Sequence, residues 1–383
     1  MPTYNMSMEA ALSLVLFLLT AQPPAPAIPE DPVAASIVHL DGGRPAEAVT
    51  LLEPVVAREP ANLPARFNLA IAYSLLGRDA EAIDAFGKVL ELSPKLVEAQ
   101  LNLGQLLVKA GRFAESIPLL EQVAAAKEND VRPPYLLARA HTGQKMWKEA
   151  VPWFQKALRL APDDQGILLD SALCYEQAGL KAEAIDAYRK VADPGARERL
   201  GLLLMDSGDL EGAAAAFEDV MKRSPSPAAA YALATVYLRS KQPAKATPLA
   251  AYVVQKEPAN ADSRLFYGRL LRDEKRFSEA AEQFYAATQS KPGSVEAWNE
   301  LAGMLMLLKN YPTAIAALDK SRELGGETPG YWWFRATALD SLHQPKPALE
   351  SYQKFLAQSG GKFPDEEFKA RQRVRILERE IRR

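Results

Sequence analysis

A ladder of small residues runs through this chain at a nearly fixed interval. Ala48, Ala82, Ser116, Ala150, Ala184, Ala213, Ala246, Ala280, Ala314 and Ala348 follow one another at spacings of 34, 34, 34, 34, 29, 33, 34, 34 and 34 residues. A second ladder keeps the same phase: Ser36, Ala70, Gly104, Ala138, Ala172, Gly201, Ala234, Gly268, Ala302 and Ala336. Such a period means that one supersecondary unit is stacked about ten times, each burying its apolar face against its neighbours. A chain of 383 residues is then one elongated array, not two or three globular domains.

Residues 63–96 show what the unit is. Arg66, Leu69, Ala70 and Tyr73 stand at i, i+3, i+4, i+7, one face of an amphipathic helix. Gly77 suits the left-handed residue that closes it. A second helix from Asp79 turns Ala82, Ile83, Phe86, Val89 and Leu90 inward, and Pro94 ends it. Ala70 and Ala82 fall where the paired helices approach most closely.

This pattern resembles the tetratricopeptide repeat, which has the same 34-residue period. The match is carried by Leu103-Gly104, Gly111, Glu115 and Ile117, by Ala150, Phe154, Ala157 and Pro162, by Gly208, Ala213, Phe217 and Pro225, and by Trp298, Leu301, Ala302, Leu305 and Ala314. The resemblance implies an all-α fold: a right-handed superhelical α-solenoid of about ten helix-turn-helix repeats. These frame as residues 28–362, with 363–383 as a C-terminal capping helix. The tail's Phe368, Val374, Ile376, Leu377 and Ile381 are expected to cover the last repeat, leaving its arginines in water. Pro32, His39 and Pro54 mark the first repeat as a degenerate cap. The fifth repeat is five residues short near 190–197, read either as a trimmed loop or as a hinge.

Residues 1–27 belong to no repeat. The apolar run Ala10–Leu19 is too short to span a bilayer and leads to small-residue cleavage positions after Ala21 and Ala27. An exported protein, periplasmic or extracellular, is the expectation, with no stable membrane span after cleavage. A membrane-anchored or a cytoplasmic chain are the alternatives. With 46 basic against 48 acidic residues, nothing steers the chain toward nucleic acid. The lone Cys174 rules out an intrachain disulfide.

No catalytic chemistry is legible. His39, His141 and His343 sit in different repeats, the first two where the family often places a core tyrosine, and none has a second ligand at metal spacing. There is no phosphate loop, nucleophile elbow or Cys–His pair. No cofactor and no enzyme are expected.

The resemblance implies instead a protein–protein interaction scaffold whose first helices line a concave groove. By repeat position that groove presents Asn68, Asn102, Tyr135, Arg139, Tyr231, Arg239, Phe266, Arg269, Arg272 and Trp333, together with Leu101, Leu265 and Phe334. Its mixed charge with apolar anchors fits a protein or peptide segment. The aromatics place the hot spot in the C-terminal half. A second reading is a substrate-docking accessory subunit of an envelope or glycosyltransferase enzyme system.

Overall fold

The computed structural model describes residues 29–382; the expected leader, residues 1–27, lies outside them. The described residues form 21 helices and no strand. The chain divides into two compact units, up to Ala187 and from Tyr188 onward.

In the first unit α1 (Pro32–Asp41) pairs with α2 (Pro45–Arg58), α3 (Leu63–Leu75) with α4 (Asp79–Leu92), α5 (Val97–Lys109) with α6 (Phe113–Ala126), and α7 (Arg132–Gly143) with α8 (Trp147–Leu160). Helix α9 (Gln165–Gln177) packs on α8. The unit boundary falls inside α10 (Lys181–Lys190), which has 10 residues where its counterparts have 13 to 15. The residues missing from the fifth repeat are therefore taken largely out of a helix, not trimmed from a loop.

The second unit pairs α11 (Pro194–Ser207) with α12 (Leu210–Arg223), α13 (Pro227–Arg239) with α14 (Pro243–Lys256), and α15 (Ala261–Asp273) with α16 (Phe277–Ser290). Then come α17 (Val295–Leu307) with α18 (Tyr311–Glu323), α19 (Pro329–Ser341) with α20 (Pro345–Ser359), and the terminal α21 (Pro364–Arg382).

Both ladders mark these helix crossings. Every member of the first is fully buried at 0% exposure, Ala48 through Ala348. In the second, three glycines admit a large side chain from the paired helix. A Cβ on Gly104 would lie 2.7 Å from Leu120, one on Gly201 2.7 Å from Phe217, and one on Gly268 2.6 Å from Phe284.

The corner inside each repeat is a left-handed residue, but glycine is not its requirement. Gly43, Gly77, Gly111, Gly179 and Gly208 have positive φ, and so do Lys145, Lys241, Lys275, Lys309 and His343 at the equivalent position. Except after Gly208, the next amide donates five residues back, as in Arg78 N to Tyr73 O (2.9 Å) and Arg276 N to Leu271 O (2.9 Å). This is the bonding of a Schellman motif, and it satisfies a carbonyl that the helix end leaves open.

The corner between repeats is tied by a side chain. Arg66, Gln100, Arg264 and Trp298 occupy one repeat position, and each donates to a proline carbonyl six residues earlier. Trp298 Nε1 reaches Pro292 O at 2.9 Å. Any donor of sufficient reach serves here, which explains why the aromatic of the repeat pattern is so often replaced. Polar caps start the following helices: Asn62, Asp164, Asp193, Ser226, Asn260, Ser294 and Thr328 each accept a backbone N–H.

Two expectations need correction. Pro54 does not set the first repeat apart, because Pro118, Pro152 and Pro248 also lie inside second helices. The tail also docks by only part of the expected set: Val374 and Leu377 pack inward as expected, but Phe368 and Ile376 do not. Glu367, Ala370 and Leu377 are buried and Val374 packs beside them, while Phe368 and Ile376 face solvent at 61% and 42% exposure. Nor do all its arginines stay in water: Arg373 forms a two-point ion pair with Asp340, 2.7 Å from Nε to Oδ2.

Candidate docking groove

Within each unit, first helices of successive repeats touch: α1 and α3, α5 and α7, α7 and α9, α11 and α13. The expected groove residues lie on these helices and their successors, but the structure sorts them into different roles. Leu101 and Leu265 drop out, each at 3% exposure, because their side chains turn into the core between helices.

In the first unit the two asparagines do not act as an equivalent pair. Asn68 Nδ2 donates across to Ser36 Oγ of the preceding repeat (3.2 Å), whereas Asn102 Nδ2 donates to Glu98 O in its own helix (2.9 Å). Tyr135 and Arg139 converge on Asp170 from the next repeat. The Tyr135 hydroxyl donates to Asp170 Oδ2 at 2.7 Å, and Arg139 Nε stands 4.0 Å from the same oxygen with its guanidinium over the Tyr135 ring. Burial, and then the bond to Asp170, pushes the Tyr135 hydroxyl up to about 12, so it remains a donor at neutral pH. Lys109, Arg139 and Asp170 edge a cleft of ≈ 620 Å³ whose floor includes Phe113, Trp147 and Cys174. Burial raises the Cys174 thiol to about 11, and its Sγ donates to Trp147 O (3.3 Å). It is a packed thiol, not a nucleophile.

His141 Nδ1 is buried without a hydrogen-bond partner, and burial lowers its pKa below the ordinary value.

In the second unit Tyr231 and Phe266 meet with ring centroids 4.7 Å apart. They stand 35 residues apart, the same register that joins Tyr135 to Asp170 in the first unit. The register thus builds a polar link in one unit and an aromatic pair in the other. Tyr231 is 44% exposed at the edge of a cleft of ≈ 600 Å³ lined by Leu202, Met205, Pro227, Ala232 and Val253. Arg239 donates to Met205 O at 3.1 Å.

Arg269 and Arg272 are not free cations. Arg269 pairs with Glu296 and with Glu300 (2.8 Å), and Arg272 pairs with Glu300 (2.9 Å). The bond to Glu300 is the main reason that the Arg269 pKa rises further. One carboxylate thus holds two guanidiniums in place between repeats.

Trp333 is half-buried against Phe355 and Tyr352 of its own repeat, at centroid distances of 5.3 and 6.0 Å. The aromatic that reaches solvent there is its neighbour Phe334, 43% exposed. Trp332 beside Trp333 is buried, at 4%, and its Nε1 donates to Glu327 (3.1 Å). Among the described residues no group of His, Cys, Asp and Glu side chains is arranged to hold a metal ion, and no helix is long and apolar enough to cross a membrane.

The family model described as "Tetratricopeptide repeat" matches residues 33–96, 101–165, 157–197, 198–256, 231–295 and 268–331. A curated relative, the TPR repeat-containing protein YpiA of Bacillus subtilis (strain 168), is 22% identical over 241 residues. The match covers 61% of this chain and 57% of that protein, so the chain spans little more than half the relative's length. Among solved structures, a chain described as MamA AMB-1 is 28% identical over 42% of this chain and 94% of its own, with a TM-score of 0.40. One described as MamA 41-end from Desulfovibrio magneticus RS-1 is 25% identical over 51% and 96%, with a TM-score of 0.34.

Proposed function

The chain belongs to the tetratricopeptide repeat family, and from that premise we propose that it is a non-catalytic interaction scaffold. It holds a segment of a partner protein on the first-helix face of the second unit. The observation that carries this reading is the contact between exposed Tyr231 and half-buried Phe266 beside an apolar cleft. Large aromatics at the centre of a face are the residue types that dominate protein–protein binding energy, and Tyr231 is 44% exposed. Export through the Ala10–Leu19 segment is part of the same proposal.

Affinity purification from the native source tests it, with wild-type, Tyr231→Ala, Phe266→Ala and Tyr285→Ala chains as baits. Tyr285 is 55% exposed on the second helix α16 and serves as the control. A discrete partner should be lost at least tenfold with the first two substitutions and retained with the third. Equal recovery on all four baits, or loss with Tyr285→Ala alone, would overturn the assignment.

A further inference from the structure

The cleft beside Tyr231 has a one-signed rim. The charged side chains of its lining are Glu257 and Asp262, both exposed and, among the described residues, neither ion-paired. Glu257 accepts from the Asn260 amide (3.0 Å), and that amide's oxygen in turn caps α15 through the backbone of Asp262 and Ser263. The two carboxylates therefore stand at one inter-repeat corner, in a cleft whose apolar lining includes Leu202, Met205 and Val253. On the adjacent helices, the cations that would otherwise answer them are committed elsewhere. Arg264 at the same corner is bonded to the Pro258 carbonyl and to Gln283, Lys256 stands over the Tyr252 ring, Arg269 and Arg272 are held by Glu296 and Glu300, and Arg239 is bonded to the Met205 carbonyl.

We infer that the segment taken by this cleft carries a large apolar side chain followed closely by a lysine or arginine, the cation reaching Glu257 and Asp262. The inference rests on the groove reading above and gives its partner a chemistry. An aliphatic anchor packs on that apolar lining, and its burial supplies most of the affinity. The basic side chain lays its methylene stem along the Tyr231 ring while its head stays in water beside the carboxylates. The Tyr231 hydroxyl, which bonds to no described residue, faces the segment as a donor or acceptor for its backbone. Exposed carboxylates of this kind set specificity and association rate more than raw affinity. The predicted signature is therefore selectivity among peptides and a salt-dependent on-rate.

The test is a random dodecapeptide display library panned on the full-length chain, in parallel with the Glu257→Gln/Asp262→Asn double variant and with Tyr231→Ala. Circular dichroism and thermal melting confirm that each variant is folded. On the wild type, enriched peptides should carry Leu, Met, Phe or Ile within a few positions of Lys or Arg. On the double variant the apolar enrichment should persist and the basic enrichment disappear. The best wild-type peptide should bind the double variant roughly tenfold more weakly, with a flatter salt dependence. Neutral or acidic flanks on the wild type, or affinities within twofold on the double variant, overturn the charge inference and leave the groove reading standing. If Tyr231→Ala binds the selected peptides as well as wild type, or if no peptide is enriched, both fail.

Discussion

Gly268 lies so close under the ring of Phe284 that a Cβ on it would sit 2.6 Å from the ring edge. Gly303 in α17, one position past the equivalent Ala302, has nothing within 4 Å of where its Cβ would lie. Replacing a helical glycine by alanine gains about 0.5–1 kcal/mol in backbone entropy, whereas overpacking a closed core costs about 1–3 kcal/mol. Gly303→Ala should therefore raise the denaturation midpoint and Gly268→Ala should lower it. Equal signs in a urea titration would refute the assigned crossing geometry.

The left-handed corners yield a stabilising series. Lys145, Lys241, Lys275, Lys309 and His343 hold positive φ without being glycine, a conformation that costs an L-residue about 1–2 kcal/mol. Part of the relief is returned as unfolded-state entropy. Each Lys→Gly change should add about 0.5–1 kcal/mol, while Gly77→Lys should subtract a similar amount. The first outcome to check is Lys275→Gly, by thermal melting.

At the tail, Leu377→Ala should cost about 2–5 kcal/mol, because Leu377 is 1% exposed in the core shared with α20. Phe368→Ser should change stability by less than about 0.5 kcal/mol, in keeping with its exposed position. A large effect from Phe368→Ser would put Phe368 back among the docking residues, as expected from sequence alone, and a small one from Leu377→Ala would contradict both the sequence reading and the structure.

Alkaline pH should weaken the fold. Burial raises the Tyr175 hydroxyl to about 12, with Cys174 and Glu183 adding to it, and raises Tyr352 to about 12. An unfolded tyrosine ionises near pH 10. Between about pH 10 and 12 the native chain therefore keeps protons that the unfolded chain has released, and stability falls as pH rises. The contribution is complete below pH 10. Chemical denaturation at pH 9 and pH 11 should show the drop, and Tyr175→Phe should shrink it.

The periodicity of small residues made the helix pairs, their order and their crossings legible, since a crossing tolerates nothing larger and so leaves a compositional trace. The lysine corners left none: an exposed lysine in αL conformation looks like any other lysine, and only its phase with Gly77 and Gly111 reveals it. Facing directions were harder to read. Adjacent helical residues differ by 100°, so of the neighbours Trp333 and Phe334 one packs on its own repeat and the other reaches solvent. In α21 the apolar residues split between two faces, so composition could not say which one docks. The Tyr231–Phe266 pair was visible as two candidates, but their contact depends on a 35-residue register that is meaningful only once the helices are side by side.

The lysine corners also set where the chain is open to cutting. Lys241, Lys275 and Lys309 are exposed at the tips of tight turns, the kind of site that proteases nick first, and each presents the residue after which trypsin cleaves. Limited digestion there releases pieces 34 residues long, each made of the second helix of one repeat and the first helix of the next. Such a piece has lost the partner across each of its small-residue crossings. A nick at any of these corners thus divides a repeat between its two helices and leaves each half attached to the neighbouring repeat.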